Sequence, residues 1–482
     1  MGSARALRVL ALLFPFLIGS PALAGPSLAR TLAEAVKPAL RVSGSMGVQV
    51  VDLSNGETVY AFEAGRRRIV ASNMKLLVTA AAIDRLGPGF FFETELLARG
   101  SLRETTLAGD LGVVGGGDPN ISGRHYDGDS LAVFRTWAAE LKRRGIRRVQ
   151  GDVYLVHGLF SPPRIHPDWP RDQLSKWYEA PIEALSFNDN CVLVRVWPAA
   201  RAGRPPRVET VPDLPLFQIR NSARTVASDR AHRVAIERLD GSNVITVSGS
   251  VYRRAGPVEA WVTVADPVEY FGAALRRAFE EEGVEILGEV GGVPSLPGEG
   301  WRRVALQRSD LLTTAEVINK RSQNFFAESL LKLLGARFCG EGTWRAGQRV
   351  LAEFLEQVGI EPGSYRLADG SGMSRNNRFS PRQLTTLLSY MFSHPRGPEY
   401  LLTLPYSGEE GLRWEDRLAD DPYRGNVFAK TGHLRGVSTL SGYAKARSGK
   451  VYAFSILMNR IGSEWRAQRA QDRIVKVLVD NG

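Results

Sequence analysis

Ser72-Asn73-Met74-Lys75, Ser322-Gln323-Asn324 and Lys430-Thr431-Gly432 occur in that order along a chain of 482 residues, and together they hold the side chains that acyl transfer to a serine requires. A serine at a helix start exposes its hydroxyl, keeps its backbone N–H free for an oxyanion, and carries a lysine three residues on over the same face. Such a lysine works as a base only when neutral, so Lys75 needs its pKa lowered by burial and by a second cation, for which Lys430 is the candidate. On an edge strand the Lys430 ammonium would also hold a proton-relay serine and attract a carboxylate. Gly432 would let a substrate backbone approach that strand closely.

Singly these tripeptides are weak signals. An S-x-x-K recurs at Ser329 to Lys332, and S-x-N recurs at Ser186 to Asn188 and Ser374 to Asn376, whereas K-T-G occurs once. The ordered triple carries the weight. Ser329 and Lys332 lie inside an amphipathic helical pattern, where a serine hydroxyl packs or bonds back to the preceding turn.

The elements that must position these groups follow from period and punctuation. Leu28 to Leu40 reads as a helix, and Gly47 to Phe62 as two strands joined at Asn55-Gly56, a favoured hairpin turn. Ser72 stands where a helix N-cap should, and Leu76, Leu77, Ala80 and Ala81 give residues 72–86 a buried helical face. From about 96 to 300 the texture changes to short β-rich runs between Gly, Pro and Asp turns, which reads as inserted material. Within it, Ala199 to Pro215 reads as a surface connection into a small all-β unit closing near Val264. Asp266-Pro267-Val268-Glu269 is a capped helix start with first-turn proline. Helices are expected from Thr313 and through Phe326 to Leu334, strands at Val427–Thr431, Ser438–Ala444 and Val451–Met458, and a closing helix over Glu464 to Val479. Helices from both chain ends bracketing an antiparallel sheet predict an α/β sandwich.

Composition narrows the class further. With 44% hydrophobic and 23% charged residues the chain can bury a sizeable core, and its length suits two to three domains. Arg5 and Arg8, the apolar run Val9 to Ile18 and Ala22-Leu23-Ala24 read as a cleaved secretory signal over residues 1–24, the run being too short to cross a membrane. No stable membrane anchor is expected. Removal takes two arginines and no acid, so the formal charge falls from +11 to +9. The arginine pairs are scattered, which argues against a nucleic-acid partner. Two cysteines, Cys191 and Cys339, allow at most one disulfide and read as buried thiols. No HExxH or ligand-spaced cysteine set supports a metal, and no cofactor is expected.

With the three motifs, GGGDPN (Gly115 to Asn120), SFNDNCV (Ser186 to Val192), ADGSGMSRNN (Ala368 to Asn377) and FAKTGHLRGVSTLSGY (Phe428 to Tyr443) resemble the penicillin-binding protein 4, or DacB-like, D-alanyl-D-alanine carboxypeptidase/endopeptidase family of serine penicillin-recognising enzymes. The resemblance covers nearly the whole chain after residue 24. It implies a transpeptidase-like catalytic domain from residues 25–95 and 305–482, with a central antiparallel sheet flanked by helices. Into this are inserted a domain from 96–193 and 270–304 and a small β domain from 194–269. It implies Ser72 as acylated nucleophile, Lys75 as base, Ser322 passing a proton to the leaving amine, and Asn324 orienting the substrate amide. The N–H groups of Ser72 and His433 would form the oxyanion hole, one donor of which is typically worth roughly 3 kcal/mol of barrier. Thr431 would bind the terminal carboxylate and Arg375 face the substrate stem. The partners implied are peptidoglycan stem peptides, with β-lactams as covalent inhibitors, in a periplasmic or secreted, wall-associated setting; a homo-oligomer is left open.

Two departures bear on specificity. His433 stands where a threonine or serine is common after K-T-G, which keeps the backbone donor and removes a hydroxyl; as an imidazolium it could itself meet the carboxylate. Val156-His157 replaces the family's acidic pair, removing the carboxylates that would meet a diamino-acid ammonium. The competing readings are a catalytically weak scaffold of the same fold and a β-lactamase, separated by turnover on peptides and by the rate of penicilloyl release.

Overall fold

The computed structural model describes residues 27–482; the signal expected over 1–24 lies outside the described residues. Two compact units result, one from residues 27–90, 310–339 and 344–482, the other from 91–309 and 340–343.

The first unit is built on five antiparallel strands in the spatial order Val427–Leu434, Val437–Lys445, Val451–Ile461, Ser43–Asp52, Thr58–Phe62. The two ends of the chain meet in its middle, where Met46 pairs with Met458 and Val50 with Phe454. Strand Val437–Lys445 is buried at every residue but its last, because helices cover both sheet faces and leave no polar side to alternate with. The terminal helices Leu28–Ala39 and Glu464–Asn481 press Leu32, Val36, Ile474 and Leu478 onto Val48, Phe454 and Ile456 on one face. Helix Pro381–Ser393 packs on the other; it starts with a capping box between Ser380 and Gln383, which satisfies otherwise orphaned N–H groups. The expected sandwich from both chain ends is therefore the observed one.

Several boundaries differ from expectation. Ser72 is not a side-chain N-cap: it sits in a one-turn 3-10 helix, Ala71–Asn73, and the α-helix runs from Met74 to Leu86. The helix expected from Thr313 starts at Leu311, because Asp310 accepts the Thr313 N–H at 2.7 Å and caps it earlier. Helices Trp344–Gln357 and Gly397–Thr403 complete this unit.

The second unit holds a seven-stranded mixed sheet that includes the hairpin Phe91–Arg103 and Thr106–Val114. Helices Ala132–Arg143 and Pro267–Glu281 share its core through Phe134, Trp137 and Phe271. As expected, Asp266 caps the second helix, accepting from the N–H groups of Val268 and Glu269. A three-stranded sheet (Cys191–Trp197, Arg207–Val211, Val258–Thr263) and a four-stranded one around Val244–Tyr252 enclose a separate core of valines and isoleucines. The presumed surface connection at 199–215 thus contributes a strand, Arg207–Val211.

Both cysteines are free; Cys191 is buried as expected, but Cys339, in the last turn of its helix, is part-exposed. Among the described residues no helix is long and apolar enough to cross a membrane, and no cluster of His, Cys, Asp and Glu could hold a metal ion.

Candidate active site

Ser72, Lys75, Ser322, Asn324 and Lys430 converge in the first unit. Lys75 Nζ lies 3.1 Å from Ser72 Oγ, 2.7 Å from Asn324 Oδ1 and 2.6 Å from the Ser371 carbonyl. Lys430 Nζ donates to Ser322 Oγ at 2.8 Å and to the Thr431 carbonyl at 3.0 Å. The three motifs therefore make one constellation, with a serine–lysine pair on either side.

Local backbone geometry brings Ser72 forward. Ala71, just before it, has φ of 46° and Ser322 has φ of 58°, left-handed conformations that cost a non-glycine residue roughly 1–3 kcal/mol and cluster at functional sites. Close packing from two sides holds the turn. A Cβ on Gly372 would fall 1.9 Å from the Ala71 carbonyl oxygen, and one on Gly432 would fall 2.9 Å from the Ser72 nitrogen and 2.2 Å from Thr439 Oγ1. Gly432 is thus required first for the approach of Ser72's own turn, rather than only for substrate as its position in the motif suggested. Asn73, buried beneath, donates to the Lys430 carbonyl at 2.6 Å and ties the turn to the strand.

Strand Val427–Leu434 is an edge strand. Ala429 donates its N–H off that edge, to the Pro405 carbonyl at 3.1 Å. Backbone groups alternate sides along a strand, so the N–H groups of Thr431 and His433 face the same open edge. Side chains alternate across the other axis: Lys430 and Gly432 point toward Ser72 and Ser322, while Thr431 and His433 line a cavity of about 710 Å³ beside the C-terminal helix. His433 is half-exposed, its Nδ1 3.0 Å from Glu464 Oε1. Arg375 is exposed on its loop and donates to the Arg435 carbonyl at 3.0 Å; among the described residues no hydrogen bond joins it to the Ser72–Lys430 cluster.

Burial lowers the pKa of Lys75 to about 7, against the opposing pull of Glu328 and Asp369. Burial likewise drives Lys430 well below the usual lysine range, with repulsion from Lys75 and then Arg413 adding to it. Lys430 was expected to help lower the pKa of Lys75, but burial is what lowers Lys75, and the repulsion between the two lysines falls on Lys430 instead.

Three supporting groups, Glu328, Asp369 and the Ser371 carbonyl, lie outside the three short motifs. Glu328, fully buried, accepts from the Trp344 indole N–H at 2.7 Å and from the N–H groups of Gly370 and Ser371 at 2.9 and 2.7 Å. Asp369 accepts from the Gly372 N–H at 2.8 Å and the Asn377 side chain at 2.6 Å, which shapes the ADGSGMSRNN loop. That loop was recognisable as a block, though not the task of Ser371. The duplicate pair lies apart from this constellation: Ser329 and Lys332 are buried within helix Asn324–Cys339, and Lys332 Nζ sits 4.6 Å from the Trp344 ring centroid.

An amine with a lone pair toward a serine hydroxyl, a second serine backed by a second lysine, and two strand-edge and turn N–H donors can together take a proton, stabilise an oxyanion and return a proton to a leaving group. Residues 28–480 match the D-Ala-D-Ala carboxypeptidase 3 (S13) family. The chain is 35% identical to the D-alanyl-D-alanine carboxypeptidase of Actinomadura sp. (strain R39), over 95% of this chain and 86% of that protein. It is 25% identical to the D-alanyl-D-alanine carboxypeptidase DacB of Haemophilus influenzae, over 86% of this chain and 85% of the relative. The crystal structure of penicillin binding protein 4 (dacB) from Haemophilus influenzae superposes with a TM-score of 0.80 at 24% identity, covering 92% of this chain and 97% of that one.

Proposed function

The chain belongs to the D-Ala-D-Ala carboxypeptidase 3 (S13) family of serine peptidases, and we propose that it cleaves D-Ala-D-Ala ends and crosslinks of peptidoglycan stem peptides through an acyl-enzyme on Ser72, and that penicillin acylates the same hydroxyl. The observation that carries this is the 3.1 Å approach of Lys75 Nζ to Ser72 Oγ by an amine whose pKa is lowered to about 7. A neutral Lys75 donates to Asn324 Oδ1 and the Ser371 carbonyl and turns its lone pair to the Ser72 hydroxyl.

Ser72 Oγ then attacks the scissile carbonyl carbon while its proton passes to Lys75. The carbonyl oxygen gathers charge between the N–H groups of Ser72 and His433. As the C–N bond breaks, Ser322 gives a proton to the leaving amine, and the proton held on Lys75 restores the balance. Water releases the acyl group by the reverse sequence. Lys430 supports Ser322 through their 2.8 Å hydrogen bond, and a substrate carboxylate arriving near Thr431 favours its charged form. Wall peptides as substrate accord with the secretory features of residues 1–24, and we propose a periplasmic or secreted setting.

Incubation with a D-Ala-D-Ala pentapeptide and with a crosslinked muropeptide, followed by mass analysis of products and protein, tests the reading. Release of D-alanine, cleavage of the crosslink and a penicilloyl adduct mapped to Ser72, all abolished by Ser72→Ala, are expected. An adduct elsewhere, or no turnover of either peptide, would overturn it in favour of a scaffold.

A further inference from the structure

We infer that Arg413 is a substrate-binding residue that pairs with the carboxylate on the leaving-group residue, the carbon next to the amine that departs. This rests on the Ser72 acyl-enzyme reading and adds the group that recognises the anionic end of the substrate.

Arg413 lines the 710 Å³ cavity that is also lined by Thr431, Gly432 and His433, so its side chain opens onto the strand that carries Lys430. It is exposed, and among the described residues it makes no hydrogen bond and no ion pair. Its neighbours are held firmly. Trp414 is buried; Arg417 pairs with Asp472 at 2.7 Å and lies over the Trp414 ring at 5.0 Å. Three of the five carboxylates lining the cavity are engaged, Asp472 with Arg417, Asp480 with the Tyr423 hydroxyl at 2.9 Å and Glu464 with His433; Asp416 and Asp420 make no side-chain hydrogen bond or ion pair among the described residues, Arg413 included. Arg413 is thus an uncommitted guanidinium on an anchored stretch.

Its charge reaches Lys430, whose ammonium it helps to destabilise. Arg413 and Lys430 repel one another beside Thr431, and an anion arriving there relieves both. A planar guanidinium suits a carboxylate bidentately. His433, the strand's other side chain in the cavity, is already engaged by Glu464; of the arginines that line the cavity, which include Arg469 and Arg473, Arg413 is the one whose charge acts on Lys430.

The test compares wild type, Arg413→Ala and Arg413→Lys on a D-Ala-D-Ala-terminated tripeptide and on its C-terminal carboxamide. Loss of a charged hydrogen bond should lower kcat/KM for the acid on the order of 10- to 100-fold in Arg413→Ala, with the amide changed less than about threefold and Arg413→Lys intermediate. Where the amide turns over too slowly to time, acylation of Ser72 by benzylpenicillin and by its methyl ester supplies the same acid-over-neutral ratio. Ser72-dependent turnover with an unchanged ratio in Arg413→Ala overturns the role of Arg413 alone. Absence of Ser72-dependent turnover and acylation in wild type overturns the acyl-enzyme reading, and this inference with it.

Discussion

Glu328 accepts the backbone N–H of Ser371 at 2.7 Å, and the carbonyl of that same Ser371 accepts from Lys75 at 2.6 Å. A buried carboxylate thereby sets the loop group that orients the base, and its charge acts on the base directly, opposing the loss of the Lys75 proton. Positioning and electrostatics at Lys75 are thus joined in one side chain four residues beyond Asn324.

The pH dependence follows. Acylation needs neutral Lys75, whose pKa is lowered to about 7, so kcat/KM for peptide should rise about tenfold per pH unit below that value and level off above it. Glu328→Gln removes a charge that favours the lysine ammonium; the Lys75 pKa then falls, and the acid limb moves to lower pH. The same change turns one carboxylate oxygen into an NH2 group facing backbone or indole donors, and should cost on the order of 1–3 kcal/mol of stability in denaturant melts. A limb displaced to higher pH would contradict the electrostatic role.

Gly432→Ala should abolish acylation while leaving the rest of the unit folded. Its Cβ would sit 2.2 Å from Thr439 Oγ1 and 2.9 Å from both the Ser72 nitrogen and the Val70 oxygen, so relief requires moving the Ser72 turn itself. We expect about 1–3 kcal/mol of destabilisation from overpacking and a loss of penicillin acylation beyond about 100-fold, since misplacing the nucleophile by about 1 Å already costs that much. Shortening Thr439 to alanine in the same chain removes only the side-chain clash; rescue of acylation by that second change would show that the backbone contact is unimportant.

The convergence of five side chains was legible because acyl transfer limits which side chains can do it. Ser72, Lys75, Ser322, Asn324 and Lys430 were found by type and order, and the sandwich by its helical and strand periods. The supporting residues were not, because their tasks exist only in three dimensions. Glu328 lies inside the duplicate S-x-x-K and reads as one more polar position on a helix. Arg413 sits in a stretch of mixed charge from Glu409 to Asp421 where nothing distinguishes one arginine from the next. Ser72's 3-10 turn differs from a simple cap because Gly372 and Gly432 press on it from distant parts of the chain, a contact with no local sequence signal. Helix Pro381–Ser393 carries a readable start in Ser380, Pro381 and Gln383, whereas Gly397–Thr403 has seven residues, too few to show a period.

Ser329→Ala separates the true serine–lysine pair from its duplicate. Ser329 is buried, and among the described residues its hydroxyl has no hydrogen-bond partner, so it neither bonds back to the preceding turn nor reaches Lys332. Removing a buried hydroxyl without a partner should leave stability unchanged or raise it by about 1 kcal/mol. Penicillin acylation and peptide turnover should match wild type. A fall in melting temperature of several degrees, or a lost adduct, would assign the duplicate a role that its burial argues against.

His433 is the position at which side chain and backbone have separable tasks. Its N–H faces the open edge with that of Thr431, by the alternation established from Ala429 and Pro405, whereas its ring lies toward the C-terminal helix with Nδ1 3.0 Å from Glu464 Oε1. An imidazole held by a carboxylate at a helix start is poorly placed to give up that partner for a substrate anion. The ring, half-exposed at 51%, also loses little by remaining where it is. His433→Thr keeps the backbone donor, and we therefore expect Ser72 acylation and kcat/KM to stay within about fivefold of wild type, a range below the cost of a lost charged hydrogen bond. The pH profiles of the two proteins should superimpose through the acid limb set by Lys75. Should the variant instead lose an alkaline fall that the wild type displays, the imidazolium binds the substrate carboxylate after all, and His433 would join Arg413 and Thr431 in holding it. Glu464→Gln provides the independent check: with the ring released from its carboxylate and the strand untouched, turnover should again be unchanged if only the His433 N–H matters.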